Sequence, residues 1–198
     1  RTGYLLTGAN LSNTAVTPTA ASGSSAVHGI RSSAVAAALT ITNNLVHGIQ
    51  VSGTATAYNG ITNSGAVTGT INLNNNQLGN IDAGAVRFMF NNTGVVTGIS
   101  NTGATATTTV NLNNNSIEGI LAVSLTSNLT GILSSANAGV AININNNNLG
   151  SASADFNTYS AATSNTIFGF FNSGGVAGST AISISNNNIR GILHSVTA

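Results

Sequence analysis

Residues 71–78 read INLNNNQL, and this stretch decides the fold. Apolar and polar residues alternate over its first four positions, an Asn pair follows at positions 75 and 76, and Leu78 is apolar again. Alternation with period two is typical of a β-strand that buries one face. Asn tolerates the left-handed backbone conformation, so the pair indicates a tight corner. The stretch therefore predicts a short strand that ends at a turn.

The same block occurs five times, starting at Leu39, Ile71, Val110, Ile142 and Ile182. In each copy the fourth and fifth residues after the start are Asn: Asn43/Asn44, Asn75/Asn76, Asn114/Asn115, Asn146/Asn147 and Asn186/Asn187. A Gly followed by an apolar residue precedes each block at a nearly constant distance: Gly29-Ile30, Gly60-Ile61, Gly98-Ile99, Gly131-Ile132 and Gly169-Phe170. Fixed spacing of this kind predicts a repeat architecture rather than an Asn-rich disordered segment.

Strands at equivalent positions of successive repeats can stack into parallel sheets about 4.8 Å apart. We therefore expect an all-β chain, a parallel β-helix (β-solenoid) of about five coils with three strands per coil. We expect residues 28–198 to form a single domain that is a segment of a longer array, and residues 1–27 to form an incomplete or irregular N-terminal coil with a long loop. Within that coil, Tyr4-Leu5-Leu6 is expected to be a strand.

Stacked Asn side chains can hydrogen-bond from coil to coil, so the five pairs predict two Asn ladders at one turn. Asn114 also begins the glycosylation sequence Asn114-Asn115-Ser116. A glycan on Asn114 would not fit inside such a ladder.

The coils alternate in a two-coil unit, because Val110 follows Leu39 by 71 residues and the offset-eight residue changes type between neighbours. That residue is large and polar in odd coils (His47, Glu118, Arg190) and Gly in even coils (Gly79, Gly150). Even coils are followed by longer excursions, residues 82–96 and 153–167. These excursions hold a candidate binding edge, formed by Arg87, Phe88, Phe90, Phe156 and Tyr159.

Charge is nearly absent, at 4% of residues, with no Lys and a formal net charge of +1. Phosphate backbones bind proteins through Lys and Arg, so four scattered Arg argue against a nucleic-acid partner and against an anionic membrane surface. No apolar run approaches the ~18 residues of a membrane span, so we expect no membrane insertion. Cys is absent, which excludes disulfides and thiolate metal sites.

Catalytic and metal-ligating patterns are also lacking. A β-helix glycosidase or lyase needs clustered carboxylates or a calcium site, and the chain offers only Asp82, Glu118 and Asp155, spread over different coils. The histidines, His28, His47 and His194, have no third ligand at a matching spacing. We therefore predict no catalytic residue, no metal site and no cofactor.

Blocks 71–78 and 182–189 resemble the coils of right-handed parallel β-helix proteins of the pectate-lyase-like superfamily, which share an Asn ladder at one turn. The composition, rich in Gly, Thr, Ser and Asn, is similar to that of tandem β-helix arrays in very large secreted proteins of Bacteroidota. This resemblance covers residues 28–194 and implies a right-handed parallel β-helix. It implies an extracellular or cell-surface protein, such as an adhesin or envelope fibre, although other members of the superfamily cut polysaccharides.

The outward residues of the block strands form a flat, uncharged array: Thr40/Thr42, Asn72/Asn74, Asn111/Asn113, Asn143/Asn145 and Ser183/Ser185. Such an array suits lateral packing against another copy, contact with neutral glycans, or ordering of water as in ice-binding solenoids. Terminal coils without a cap also leave strand edges unpaired, which favours end-to-end association or further repeats of the same chain.

The function expected from these features is that of a non-catalytic extracellular structural or adhesive β-solenoid. A carbohydrate-binding or polysaccharide-degrading β-helix is the alternative, and an ice-binding solenoid is the third hypothesis.

Overall fold

The computed structural model describes the backbone of residues 4–7 and 10–11, and the full residues 26–79 and 84–193. The described chain contains strands and no helix. All of its strand pairings are parallel. The expectation of an all-β chain with stacked parallel strands is confirmed.

The strands, numbered in chain order, form four sheets. Sheet 1 contains β3 (Val27–Ser32), β7 (Tyr58–Asn63), β11 (Val96–Asn101), β15 (Leu129–Ser134) and β19 (Ile167–Asn172). Sheet 2 contains β1 (Tyr4–Thr7), β4 (Leu39–Thr42), β8 (Thr70–Asn74), β12 (Thr109–Asn111), β16 (Ala141–Asn145) and β20 (Ala181–Ser185). Sheet 3 contains β2 (Asn10–Leu11), β5 (Leu45–Val46), β9 (Gln77–Leu78), β13 (Ser116–Ile117), β17 (Asn148–Leu149) and β21 (Asn188–Ile189). Sheet 4 contains β6 (Gln50–Val51), β10 (Val86–Phe88), β14 (Ile120–Ala122), β18 (Asn157–Tyr159) and β22 (Ile192–Leu193).

From β3 onward, each strand pairs with the strand four places later, so the chain visits sheets 1, 2, 3 and 4 and returns to sheet 1. We refer to β3–β6, β7–β10, β11–β14, β15–β18 and β19–β22 as coils 1 to 5. This arrangement is consistent with a parallel β-solenoid. The expected strand at Tyr4 is present and pairs with β4, whereas residues 1–3, 8–9 and 12–25 of the expected N-terminal coil lie outside the described residues.

The prediction of three strands per coil is wrong, because the chain turns a second time after the Asn corner. The second turn separates sheet 3 from sheet 4 and uses a Gly with φ between 61° and 78°. Residues that carry a side chain rarely adopt this left-handed backbone conformation, so Gly is favoured there. The turn residues are Gly48, Gly79, Gly119, Gly150 and Gly191.

The core consists of columns of apolar side chains that continue from coil to coil. Ile71, Val110 and Ile142 stack in register and are fully buried, while the residues between the inward positions are partly exposed. Each buried Ile, Leu or Val contributes about 1.5–3 kcal/mol relative to an exposed one. The period-two pattern of the blocks is therefore the pattern of burial.

The Gly of the Gly-apolar motif lies where sheet 1 approaches sheet 3. A Cβ atom added to Gly98 would lie 2.6 Å from Gly131 O and 2.6 Å from Ile117 Cδ1. Both distances are well inside van der Waals contact. The motif therefore marks a close contact between sheets 1 and 3, and sheet 3 supplies the apolar side chain that fills the space left by Gly.

Gly98→Ala should lower the free energy of unfolding by about 2 kcal/mol or more, because the Gly131 carbonyl is backbone and cannot move aside alone. Urea denaturation followed by far-UV circular dichroism measures the change. Asn128→Ala, at an exposed position, is the control and should change stability by less than about 0.5 kcal/mol. An unchanged midpoint for Gly98→Ala would contradict the close approach of the two sheets.

The alternation of coils comes from a loop between sheets 3 and 4. In coil 3, Glu118 is followed two positions later by Ile120, the first residue of β14. In coil 2, Gly79 occupies the place equivalent to Glu118, but the equivalent of Ile120 is Val86, seven positions later. Most of the extra residues of even coils therefore lie within 80–85 and 151–156, rather than across the longer excursions 82–96 and 153–167 that the sequence suggested.

Candidate functional site: the asparagine columns

The two Asn residues of each pair have different roles. The first has φ between 54° and 58° and an exposed side chain in every coil: Asn43, Asn75, Asn114, Asn146 and Asn186. It provides the left-handed corner between sheets 2 and 3. The second Asn turns inward, and Asn44, Asn76, Asn115 and Asn147 are at most 2% exposed.

The second Asn residues form the inner ladder, which runs from Asn44 to Asn187. At its centre, Asn76 N and Nδ2 donate to Asn115 Oδ1 at 2.9 and 3.2 Å. Asn115 N and Nδ2 donate in turn to Asn147 Oδ1 at 2.8 and 3.1 Å, and Asn115 Nδ2 also donates to Leu73 O at 2.9 Å. Each buried amide therefore has partners on both sides, as a buried polar group requires.

The sequence predicted that both Asn columns would be ladders at this corner. The structure assigns the inner ladder to the second column, and it assigns the backbone conformation of the turn to the first. Asn114 is accordingly exposed, so the steric argument against a glycan on this residue is wrong.

Asn115→Ala should lower the free energy of unfolding by about 2–4 kcal/mol, because it leaves the buried Asn76 N–H without its acceptor and takes a donor from Asn147. Asn114→Gly is the matched control. Gly adopts positive φ without strain, and we expect a change below about 1 kcal/mol. Equal losses of stability for the two variants in urea denaturation would show that the ladder is not what holds the corner.

Two further ladders follow the outward face of sheet 2. In the first, Asn111 Nδ2 donates to Asn72 Oδ1 at 2.9 Å, and Asn143 Nδ2 donates to Asn111 Oδ1 at 2.8 Å. In the second, the backbone N of Asn113 donates to Asn74 Oδ1 at 2.8 Å, and that of Asn145 donates to Asn113 Oδ1 at 2.9 Å. The outward Asn side chains are thus held in fixed positions by the coil stack.

These ladders belong to a continuous surface that we call the carboxamide face. It comprises the outward and corner residues of coils 2 to 4, none of which is charged: Asn72, Asn74, Asn75, Gln77, Asn111, Asn113, Asn114, Ser116, Asn143, Asn145, Asn146 and Asn148. All are partly or fully exposed. The corner and its neighbouring strands therefore present amide donors and acceptors at every coil.

Sequence reasoning missed another polar column, which lies at the end of sheet 1. Asn63, Asn101 and Ser134 are fully buried there, and Asn63 Nδ2 donates to Asn101 Oδ1 at 2.8 Å and to Gly103 O at 2.9 Å. The signal in the sequence is a polar residue three positions after the Gly of each Gly-apolar motif. Its buried position identifies it as part of the scaffold.

The candidate binding edge is largely a core feature. Phe88, Phe156 and Tyr159 are at most 2% exposed. The prediction that these three residues lie at the surface is therefore wrong. The reason is register: β10 and β18 belong to sheet 4, and Phe88 and Tyr159 align with the inward residue Ala122. Phe88 packs edge-on against another buried ring, Tyr58, at 5.9 Å between centroids.

Arg87 and Phe90 are the members of that edge that reach the surface. Arg87 borders a shallow groove of about 300 Å³ on the outside of sheet 4, lined also by Leu121 and Val123. The groove holds one charge and no exposed aromatic ring. It therefore lacks the aromatic side chain on which a bound sugar ring would be expected to stack.

The side chains of the two described acidic residues contact different coils. Glu118 Oε1 lies 3.5 Å from Gln77 Nε2, in the coil before it, whereas the Asp155 carboxylate lies against Gly191, in the coil after it. Asp82 and His194 lie outside the described residues. Within the described ranges, no group of three or more His, Asp or Glu side chains could hold a metal ion.

Two buried tyrosines have perturbed ionisation. Burial raises the pKa of Tyr159 to about 12, although a hydrogen bond from Asn165 Nδ2 to its hydroxyl, at 2.8 Å, acts in the opposite direction. Burial raises the pKa of Tyr58 further. In β3, burial and the nearby Arg31 charge lower the pKa of His28.

Because both phenols ionise more readily in the unfolded chain, their contribution to stability is complete below about pH 10 and decreases as the pH rises towards 12. Urea midpoints measured from pH 8 to pH 12 should therefore be constant at first and then fall. Tyr159→Phe should flatten part of that fall. Ultraviolet titration of Tyr159 with a midpoint near pH 10 in the folded protein would contradict its burial.

No family model, curated protein or solved structure matches the chain. In the described part of the chain there is no helix long and apolar enough to span a membrane.

Proposed function

We propose that the chain is a non-catalytic structural module of an extracellular or cell-surface protein, serving as a spacer, fibre or adhesive stalk. The observation that carries the proposal is the inner ladder, which links every coil to the next through the same buried amide contacts. A stack of this kind can be lengthened by adding coils without changing its design. We further propose that it is right-handed, because parallel strand–crossover–strand connections are right-handed in about 98% of cases.

The surface chemistry supports the same function. With so few charges the protein creates little field to steer ionic ligands, and it offers few groups for acid–base chemistry. The resemblance to pectate-lyase-like β-helices and to tandem arrays of secreted Bacteroidota proteins supports an extracellular location.

The exposed face of coil 5 supports end-to-end contact. Ile182 and Ile184 are 52% and 49% exposed, whereas their equivalents in coil 4, Ile142 and Ile144, are fully buried. A strand of another copy that paired with β20 would cover these side chains. Self-association is therefore part of the proposed function.

A test uses the intact protein that carries this chain, imaged by electron microscopy, and cells labelled with an antibody raised against residues 1–198. We expect elongated rods or filaments and labelling outside the cell. Compact particles only, or labelling confined to the cytoplasm, would remove the structural proposal.

Neutral glycan binding is a second candidate, favoured by the fixed amide groups of the carboxamide face. Polysaccharide cleavage has less support, because the Glu118 and Asp155 carboxylates contact different coils. A glycan array and a reducing-sugar assay test both activities. Ice binding through ordered surface water is the third candidate, and absence of freezing hysteresis would dismiss it.

A further inference from the structure

We propose that the carboxamide face is a lateral self-association surface, on which a second copy of the chain packs with its own carboxamide face. The two copies are related by a two-fold axis in the plane of the face, so that coil 3 of one copy lies against coil 3 of the other. This inference rests on the proposed structural function and adds to it the surface and the partner.

The face is self-complementary in its hydrogen bonding. A carboxamide carries both donors and acceptors, so an array of carboxamides can pair with an identical array. In the second outer ladder the Oδ1 atoms accept backbone N–H groups, while the NH₂ groups of Asn74, Asn113 and Asn145 make no hydrogen bond within the described chain. These donors are left for an acceptor outside it.

The side chains are also fixed before contact. The ladder through Asn72, Asn111 and Asn143 already restricts their rotamers, so pairing orders few additional groups. Both copies have the same coil spacing of about 4.8 Å, and the rows of one face therefore match the rows of the other without strain. A two-fold contact uses the same patch on both partners, as most homodimers do.

The other faces of the stack are less suited to close pairing. Sheet 1 presents Arg31 and Phe171, and sheet 4 presents Arg87 and Leu121, so charged and bulky side chains interrupt both. On the carboxamide face all the members are uncharged and none is aromatic. Coil 3 lies at the centre of that face, which is why the two-fold axis is placed there.

The contact is small. Three coils and one corner cover roughly 250 Å² on each partner, from strand spacing and rise, which is about a third of a standard interface. We therefore expect weak, reversible pairing of the isolated chain, which increases in proteins with more coils because the contacts add along the stack.

The absence of native Cys allows a direct test of this geometry. Asn113→Cys places one thiol at the middle of the face in coil 3, and Thr126→Cys places one at an exposed loop between sheets 4 and 1. With a short bismaleimide at high protein concentration, we expect crosslinked dimers for Asn113→Cys in clear excess over Thr126→Cys. Equal crosslinking of the two variants, or none, would overturn the proposal.

A second measurement avoids the ladders. Asn114→Asp adds a charge at the exposed corner of coil 3, where it faces its own copy, and Asn128→Asp adds the same charge at an exposed position before β15. Sedimentation equilibrium should show dimerisation weakened about tenfold by Asn114→Asp and unchanged by Asn128→Asp. Thermal unfolding of each variant confirms that it is folded.

Equal dimerisation by both Asp variants would show that the copies meet elsewhere. Dimerisation lost on substituting Ile184→Asp but kept in Asn114→Asp would assign the contact to the end of the stack and overturn the lateral surface. Saturable binding of a neutral glycan that is abolished by Asn114→Asp, with a monomeric chain throughout, would assign the face to a glycan instead. Each of these results leaves rods in micrographs of the intact protein unaffected, so it is distinguishable from failure of the structural function.

Discussion

The hydrogen bond from one coil to the next is the constraint on which the rest of the molecule depends. Parallel strands two to six residues long are not stable on their own. Each coil is stabilised because the neighbouring coils repeat its register. The inner ladder extends this register through the corner, where the chain leaves one sheet for the next and Asn115 replaces the missing backbone partners. Extra residues consequently occur between the stacked strands, as in the loop 151–156.

Stacking also explains the scarcity of charge. A residue that recurs at the same position of every coil lies about 4.8 Å from its copies, and like charges at that spacing repel one another. Carboxamides and hydroxyls avoid this cost, because they can donate to the coil on one side and accept from the coil on the other. The offset-eight column shows the same rule: His47, Glu118 and Arg190 are separated by Gly79 and Gly150, so large polar side chains lie two coils apart.

Much of this architecture could be predicted from the sequence, because period-two alternation, the Asn pair and the Gly-apolar motif each have a local physical cause. The fourth strand was missed because its turn depends on one Gly, which shifts between offsets eight and nine in alternate coils. The aromatic residues were misplaced for a related reason. Whether Phe88 faces inward depends on where the inserted residues end, and only its pairing with Ala122 determines that. The outer ladders needed side-chain geometry, since the sequence shows an outward Asn row but not its bonds.

In the proposed structural role, the stack functions through many equivalent contacts rather than through one local site. A catalytic site requires different groups to converge on one point, whereas a coil stack places similar groups at regular intervals along a line. Recognition by the carboxamide face must therefore suit a partner that is itself periodic at the same spacing. A second copy of the chain meets that condition by construction, because its Asn111 and Asn143 repeat at the same interval as those of the first. The strength of this pairing then increases with the number of coils in contact.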